Sequence, residues 1–360
     1  MRILTLNYGS TNLKWALFQE GKGRSQTGRL DLHHPTELPE VVHGVLDELE
    51  PRGKLDAVVH RVVHGGRLTA TCRIDPAVLR EIEAAAAFSP IHNRRALAGI
   101  RAVEARGLAQ IAVFDTAFHT TIPFHARAYA LPGQFYERGL HRYGFHGISF
   151  QYLVQAAADY LGCGTDQVNG IFLHLGGGAS ACAVYEGKSV DTSMGLTPLE
   201  GLVMSSRSGD IDPGLVLYLL RQGMNPDDVA VLLTERSGLV GLGDGSSAKD
   251  VIERAAQGDE RCARAVDVFV YRIRKYVGAY LAALPRCDLL VFSGGIGENS
   301  PFIRERVCVG IAHLGIAIDP MLNRRNERDI TGRASERRVL VLPTDEEEQM
   351  YREALALLRQ

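Results

Sequence analysis

Cysteine is sparse in this 360-residue chain, and the six that occur (Cys72, Cys163, Cys182, Cys262, Cys287 and Cys308) include no CxxC pair. That spacing excludes a zinc knuckle and offers no disulfide framework to so long a chain, which points to a reducing, cytoplasmic setting. Proline is scarce too, at 14 residues, and with no collagen period a fibrous or low-complexity architecture is ruled out. Charge of one sign is also missing: 40 Lys and Arg stand against 42 Asp and Glu, a net charge of −2. No whole-chain field then favours nucleic acid or an anionic membrane, and neither is expected as a partner. Long apolar runs are absent. The first run reaches Asn7 too early for a signal-peptide core, and the nearly uncharged stretch 170–185 is interrupted by His174 and three consecutive glycines, so no membrane span is expected.

What the chain does have is glycine, 38 residues in all, well above the roughly 7% of average usage. Such a surplus implies tight turns or close backbone approach to something bound. Length alone suggests two domains, at roughly 150 residues each. Residues 2–6 and 13–18 read as strands joined by the turn 7–12, and 171–185 repeat the plan. A gapless alignment puts Asn7 opposite His174, Gly9 opposite Gly176 and WALF opposite CAVY, with a Glu-Gly-Lys after each hairpin. Duplication of one α/β domain is the natural explanation. Further strands are expected at 57–63, 111–114, 289–292 and 339–342. Helices are expected at 76–87 with Asp75 as N-cap, 92–106, 149–161, 213–221 and about 260–284. Strands alternating with helices indicate α/β layers. The charged segment 323–338 lacks apolar periodicity and reads as a surface connection with solvated arginines.

Reactive residue types concentrate in five segments: 7–14, 60–66 (HRVVHGG), 115–119 (DTAFH), 143–147 (YGFHG) and 204–213 (MSSRSGDIDP). Glycine hairpins such as 7–14 and 174–180 can present bare backbone N–H groups to an anion, although a glycine hairpin is often only a turn. No GxxxxGK[ST] loop occurs, nor a GxGxxG between a first strand and its helix, so the P-loop and Rossmann readings fail. Arg61 lies inside an apolar strand, where an unpaired guanidinium is very costly, and so requires an anionic partner. That partner is either structural, with Asp115 at another strand end, or a bound oxyanion. Arg207, among Ser205, Ser206, Ser208 and Gly209, has the same two readings.

These segments resemble the acetate kinase (acetokinase) family, part of the acetate and sugar kinase, heat-shock chaperone and actin superfamily. The resemblance runs in order through NYGSTNLK, HRVVHGG, SPIHN, VFDTAFHTTIP, YALP, HRYGFHGIS, HLGGGAS, DTSMGLTPLEGLVMSSRSGDIDPG, VFSGGIGENSPFIR and PTDEEE. It implies an α/β fold of two duplicated ribonuclease-H-like domains with an interdomain nucleotide cleft. The first domain would be 1–146, joined by the C-terminal helix at about 346–360. The second, 147–345, would carry the nucleotide side and a homodimer interface. It also implies Mg²⁺-dependent in-line phosphoryl transfer between ATP and acetate, giving ADP and acetyl phosphate, with Mn²⁺ able to replace Mg²⁺. Such a reaction needs alignment and positive charge more than covalent help.

By similarity, Arg61 would hold the acceptor carboxylate and Asp115 would orient it or the nucleophile. Arg207, His146 and His92 would meet the phosphoryl oxygens, and Asn7 and Glu346 the metal. Lys14 would reach the terminal phosphates, as would His174, Gly176, Gly177, Gly178 and Ala179. Gly295, Ile296, Gly297, Glu298 and Asn299 would meet the adenosine. Val63, Ile91, Phe145 and Pro198 match a small apolar acceptor pocket, so propionate should be a weaker substrate. His64, His119 and the pair His33-His34 are expected to be structural or exposed.

Departures from the family pattern fall at Asn12, where a third serine is usual, at Gly177 in place of Asn, at Phe150 in place of His, and around Ala248, where an Asp and Arg near the ribose are usual. They leave open a pyrophosphate- or phosphate-dependent enzyme, or a catalytically weak nucleotide- or metabolite-sensing paralogue.

Overall fold

The computed structural model describes every residue except Ser10, Thr11 and His33, so part of the first loop and one of the paired histidines lie outside the described residues. Contacts group the chain into two units. One comprises Met1–Thr120, Phe145–Tyr152 and Asp345–Gln360, the other Thr121–Gly144 and Leu153–Thr344. The segment Thr121–Gly144 is tied into the second unit by the Thr121 hydroxyl, which donates to the Ser189 carbonyl (2.7 Å). Gly147, by contrast, donates its N–H to the Asp115 carbonyl (2.8 Å) within the first unit.

The first unit holds β1 (Arg2–Tyr8), β2 (Asn12–Gln19), β3 (Gly23–Asp31), β4 (Ala57–Val62), β5 (Cys72–Arg73) and β6 (Gln110–Phe114), in the order β3-β2-β1-β4-β6-β5. β1, β2 and β3 form an antiparallel meander, whereas β4 runs parallel to β1 and β6 parallel to β4. Alternation along the strands sends Leu4, Leu6, Val58 and Val62 to one core, with residues of the helices Leu38–Leu49 and Pro90–Glu104. It sends Ile3, Ala57, Val59, Ile111 and Val113 to the other, against Met350, Tyr351 and Ala354 of the C-terminal helix Glu346–Leu358. Helix on both faces of parallel strands explains why these strands read as nearly continuous apolar runs.

The second unit holds β7 (Gly170–Leu175), β8 (Ala179–Tyr185), β9 (Lys188–Thr192), β10 (Leu289–Ser293) and β11 (Arg338–Val341). Its order β9-β8-β7-β10-β11 repeats β3-β2-β1-β4-β6 with the same strand directions, so the duplication extends over the sheet and only β5 is extra. The hairpins do not align without a gap. Asn7 faces Lys14, whereas His174 faces Ser180, which makes the second loop one residue shorter and shifts WALF from CAVY to ACAV. The long helix Glu260–Ala283 is capped by Asp259 and buries Val266, Phe269, Val270, Ile273, Val277 and Tyr280, a helical stripe.

Sequence periodicity leaves out β3, β9 and the helix Leu38–Leu49. β3 is almost wholly exposed and carries no apolar alternation. The segment 323–338 is more than a surface connection: Asn323 and Ile330 are buried, and bridges join Ile318 to Thr331 and Asp329 to Leu340. Most of its arginines are exposed. No described helix is long and apolar enough to cross a membrane.

Candidate functional site

In the first unit, strand alternation puts Asn7, Arg61 and Asp115 on one face, at the carboxyl ends of β1, β4 and β6. Carboxyl ends of parallel strands are where open α/β sheets gather their ligand-binding groups. Arg61 donates from Nε to Asp115 Oδ1 (2.9 Å) and from Nη2 to Asp115 Oδ2 (2.6 Å), a bidentate fork. Its Nη1 donates to Asn7 Oδ1 (3.0 Å) and Glu346 Oε2 (3.1 Å). One N–H of Nη2 then has no partner among the described residues. Asn7 Nδ2 donates to Glu346 Oε2 (2.8 Å) and Glu347 Oε1 (2.7 Å). Both glutamates lie in the first turn of the C-terminal helix, capped by Asp345, where the helix dipole favours negative charge.

The structural reading of Arg61 is therefore realised, and its free N–H leaves the oxyanion reading open. Burial opposes the Arg61 charge, but Asp115 and Glu346 outweigh it and raise its pKa. At Asp115, which is 1% exposed, burial is the largest influence and raises the carboxyl, with Arg61 pulling it back down.

The YGFHG turn is fitted to Asp115. His146 has φ 57°, a left-handed conformation rare for a side-chain-bearing residue, and its backbone N–H donates to the Asp115 carboxylate. A Cβ on the next residue, Gly147, would collide with the Asp115 carbonyl oxygen. Lys14 faces Asn7 across the hairpin and is exposed. Val63 and Phe145 are buried, and Ile91 is 48% exposed at the start of the helix Pro90–Glu104, with His92 half-buried beside it. His64 and His119 are buried; His119 Nε2 meets the Phe145 carbonyl (3.0 Å).

In the second unit the gathered elements are mostly backbone. The Gly177 carbonyl accepts from the Ser205 N–H (3.1 Å), which binds the hairpin loop to the loop carrying Arg207. His174 pairs with Ser293, so the segment after β10 begins beside that hairpin. Gly294 has φ 74°, and a Cβ there would stand 2.7 Å from the Leu175 carbonyl oxygen. Residues 295–299 belong to a short helix, Gly294–Asn299. The Glu298 side chain turns inward, accepting from the Gly294 N–H (2.9 Å) and the Thr344 N–H (3.2 Å), and Asn299 Nδ2 donates to the Gly295 carbonyl (2.9 Å). Arg207 donates from Nη1 to the Pro198 carbonyl (3.1 Å) and has no carboxylate partner among the described residues; burial alone lowers its pKa.

Sequence reasoning missed several supports. Glu347 is Asn7's second acceptor. Arg95 Nη1 donates to the Gly9 carbonyl (2.5 Å), holding the first loop. Asn93 is fully buried, accepts the His64 N–H (3.0 Å) and donates to the His64 carbonyl (2.9 Å), joining SPIHN to HRVVHGG. Arg142 Nη1 donates to the carbonyls of Thr192, Ser193 and Met194, while Nη2 pairs with Glu200 (2.6 Å). All lie inside or beside the quoted motifs, but spacing in one strand of text does not show which backbone a side chain meets.

The carboxylates around Asn7 suit a hard cation: one guanidinium faces Asp115, Glu346 and Glu347, so the cluster carries an excess of negative charge, although Asn7 Oδ1 and Glu346 Oε2 accept from Arg61 and Asn7 Nδ2 faces both glutamates. Among the described residues no group of three His, Cys, Asp or Glu is arranged as a metal cage. One or two carboxylates are what Mg²⁺ commonly takes alongside phosphate oxygens.

The model of the acetokinase family matches residues 37–352. An acetate kinase from Campylobacter jejuni is 40% identical over 387 aligned residues, covering 98% of both chains. This chain belongs to the acetokinase family. Among solved structures, a Porphyromonas gingivalis acetate kinase superposes with a TM-score of 0.86 at 34% identity, covering 99% of each chain. A Francisella tularensis propionate kinase does so with 0.89 at 35%, covering 98% of each. The acetokinase fold is a pair of duplicated ribonuclease-H-like domains, and the chain is a phosphotransferase with a carboxyl group as acceptor.

Two of the departures from the resembled motifs fall on buried positions. Phe150 is buried, its ring edge-on to His119 at 5.8 Å, and Ala248 is buried in a helix capped by Ser247. Gly177 is exposed and a Cβ there would meet nothing within 4 Å.

Proposed function

We propose that this acetokinase moves a phosphoryl group between ATP and acetate, giving ADP and acetyl phosphate, with propionate a weaker acceptor. The observation that carries the reading is Arg61: mostly buried, fixed by Asp115, Asn7 and Glu346, and retaining one Nη2–H for a ligand oxygen. That N–H takes an oxygen of the acceptor carboxylate. Acetate is ionised near neutral pH and attacks the terminal phosphorus without a base, so Asp115 orients Arg61 and removes no proton. Arg207, with no carboxylate of its own, neutralises the equatorial phosphoryl oxygens, assisted by His146 and His92. Lys14 and the loop His174–Ala179 hold the phosphates, and the backbone of 295–297 the adenosine. Val63, Ile91, Phe145 and Pro198 surround the acceptor methyl, where an extra methylene changes selectivity by about 1–3 kcal/mol. Asn7 and Glu346 would hold a divalent metal, Mg²⁺ or in its place Mn²⁺, which would supply screening of the phosphate charge. A homodimer is supported by the helix Pro213–Arg221, which buries none of its residues and leaves Leu215, Leu217 and Tyr218 exposed; sedimentation would test it.

The deciding assay supplies acetate, Mg²⁺ and ATP and traps acyl phosphate with hydroxylamine. Product with acetate is expected. No trapped product with any short carboxylate, alongside measurable ADP binding, would mean a sensing protein instead. The bare Gly177 loop favours one second reading, a pyrophosphate donor. Running the reaction backwards from acetyl phosphate with ADP or with inorganic phosphate as acceptor separates the two.

A further inference from the structure

Arg304 is the largest fully buried side chain among the described residues, at 0% exposure, and no role above uses it. All five of its N–H groups are engaged, yet no carboxylate is among their partners. Nε donates to Asn323 Oδ1 (2.8 Å), and Nη1 to the carbonyls of Gly297 (2.8 Å) and Glu298 (2.9 Å). Nη2 donates to the Asn323 carbonyl (3.0 Å) and to Asn326 Oδ1. The last carbonyls of a helix have no partner within it, and a cation at that end is favourably placed. Arg304 therefore ties the end of the short helix Gly294–Asn299 to the segment containing Asn323 and Asn326.

The other end of the same helix is tied by Glu298. Its Oε1 accepts the Gly294 N–H (2.9 Å), the Ser293 hydroxyl (3.3 Å) and the Thr344 N–H (3.2 Å). With both ends fixed, Gly295 stays exposed, with nothing within 4 Å of where its Cβ would stand.

We infer that Arg304 and Glu298 are positioning residues for the nucleotide: they fix the backbone of 294–298 from its two ends so that Gly295 and Ile296 meet the adenosine through main-chain atoms. This rests on the reading that 295–299 are the adenosine side. It also moves Glu298 from a ligand contact to a support.

The test uses the full chain carrying Arg304→Lys or Asn326→Gly. Lys keeps the charge but cannot reach five acceptors in a planar fork. Asn326 is exposed with φ 54°, which glycine adopts freely, so Asn326→Gly removes one hydrogen bond to Arg304 with little risk to folding. KM for ATP and the ADP dissociation constant should rise about tenfold in Arg304→Lys and about threefold in Asn326→Gly, the size expected for hydrogen bonds to a charged group. KM for acetate and kcat at saturating ATP should stay within about twofold of the parent. Unchanged nucleotide constants in a folded Asn326→Gly overturn the inference, as does a parallel loss in kcat and in both KM values, which marks general damage. Should Arg304→Lys fail to fold, Asn326→Gly decides. Absence of ADP binding in the unaltered protein would instead overturn the adenosine reading, and the inference with it.

Discussion

At matching strand ends the first unit places Asn7, Arg61 and Asp115, whereas the second places His174, a run of glycines and the turn at Gly294. The first end is a set of charged side chains that hold one another: Asp115 fixes Arg61, which reaches Asn7 and Glu346. The second is mostly main chain, and its cation Arg207 has, among the described residues, a carbonyl and a sulfur as partners. Duplicated scaffolds thus expose two different weaknesses. Removing a side chain should damage the first, and adding a Cβ should damage the second.

The largest effects come from the two arginines. Arg207→Ala should lower kcat about 10³-fold, as removal of a transition-state arginine does, with little change in Tm because no carboxylate is left unpaired. Arg61→Ala should cost comparable activity and also about 3 kcal/mol of stability, since Asp115 loses its only bidentate partner in a site where Arg61 is 14% exposed. Thermal melts alongside kinetics check both, and equal Tm losses would break the contrast.

Next come the glycines. Gly294→Ala forces a Cβ into a left-handed backbone 2.7 Å from Leu175, an expected cost of about 2–3 kcal/mol. Gly147→Ala shows the exception in the first unit, because the turn that delivers the His146 N–H to Asp115 also needs a bare backbone; a loss of about 1–3 kcal/mol in denaturant titrations is expected.

Gly177→Asn should be tolerated, since the added Cβ enters open space. It is expected to lower KM for ATP by about fivefold, one hydrogen bond's worth. An unchanged KM for ATP with activity towards pyrophosphate would favour the second donor reading.

The smallest effect concerns Glu353 in the first unit, whose carboxyl is raised by burial, with hydrogen bonds from Thr71 and Gln349 working against that. A raised carboxyl favours the fold below its unfolded pKa and loses that contribution as pH rises through the folded value. Glu353→Gln should therefore be more stable than the parent by under about 1 kcal/mol near pH 8, with the difference fading towards about pH 4; Tm against pH reads it.

Much of this was legible in order along the chain. Apolar runs marked β1, β2, β4, β6, β7, β8 and β10, because strands covered on both faces must be apolar throughout. The buried Arg61 demanded a partner on energetic grounds alone, and Asp115 supplies it. β3 escaped because an exposed edge strand needs no apolar pattern, and Phe150 and Ala248, departures within the motifs, are buried.

The sequence by itself determined the α/β class, the internal duplication, the absence of a membrane-length apolar run and the family whose motifs recur in order. Tertiary structure decided most of the partners beyond the Arg61–Asp115 pair. It brought Glu346 and Glu347 to Asn7, turned Glu298 away from solvent, gave Arg304 its five acceptors and shifted the second hairpin by one residue. The physical reason is that local periodicity reports which face a residue occupies. Hydrogen-bond partners hundreds of residues apart are chosen by register and by the need to satisfy every buried polar group, which no window of sequence contains.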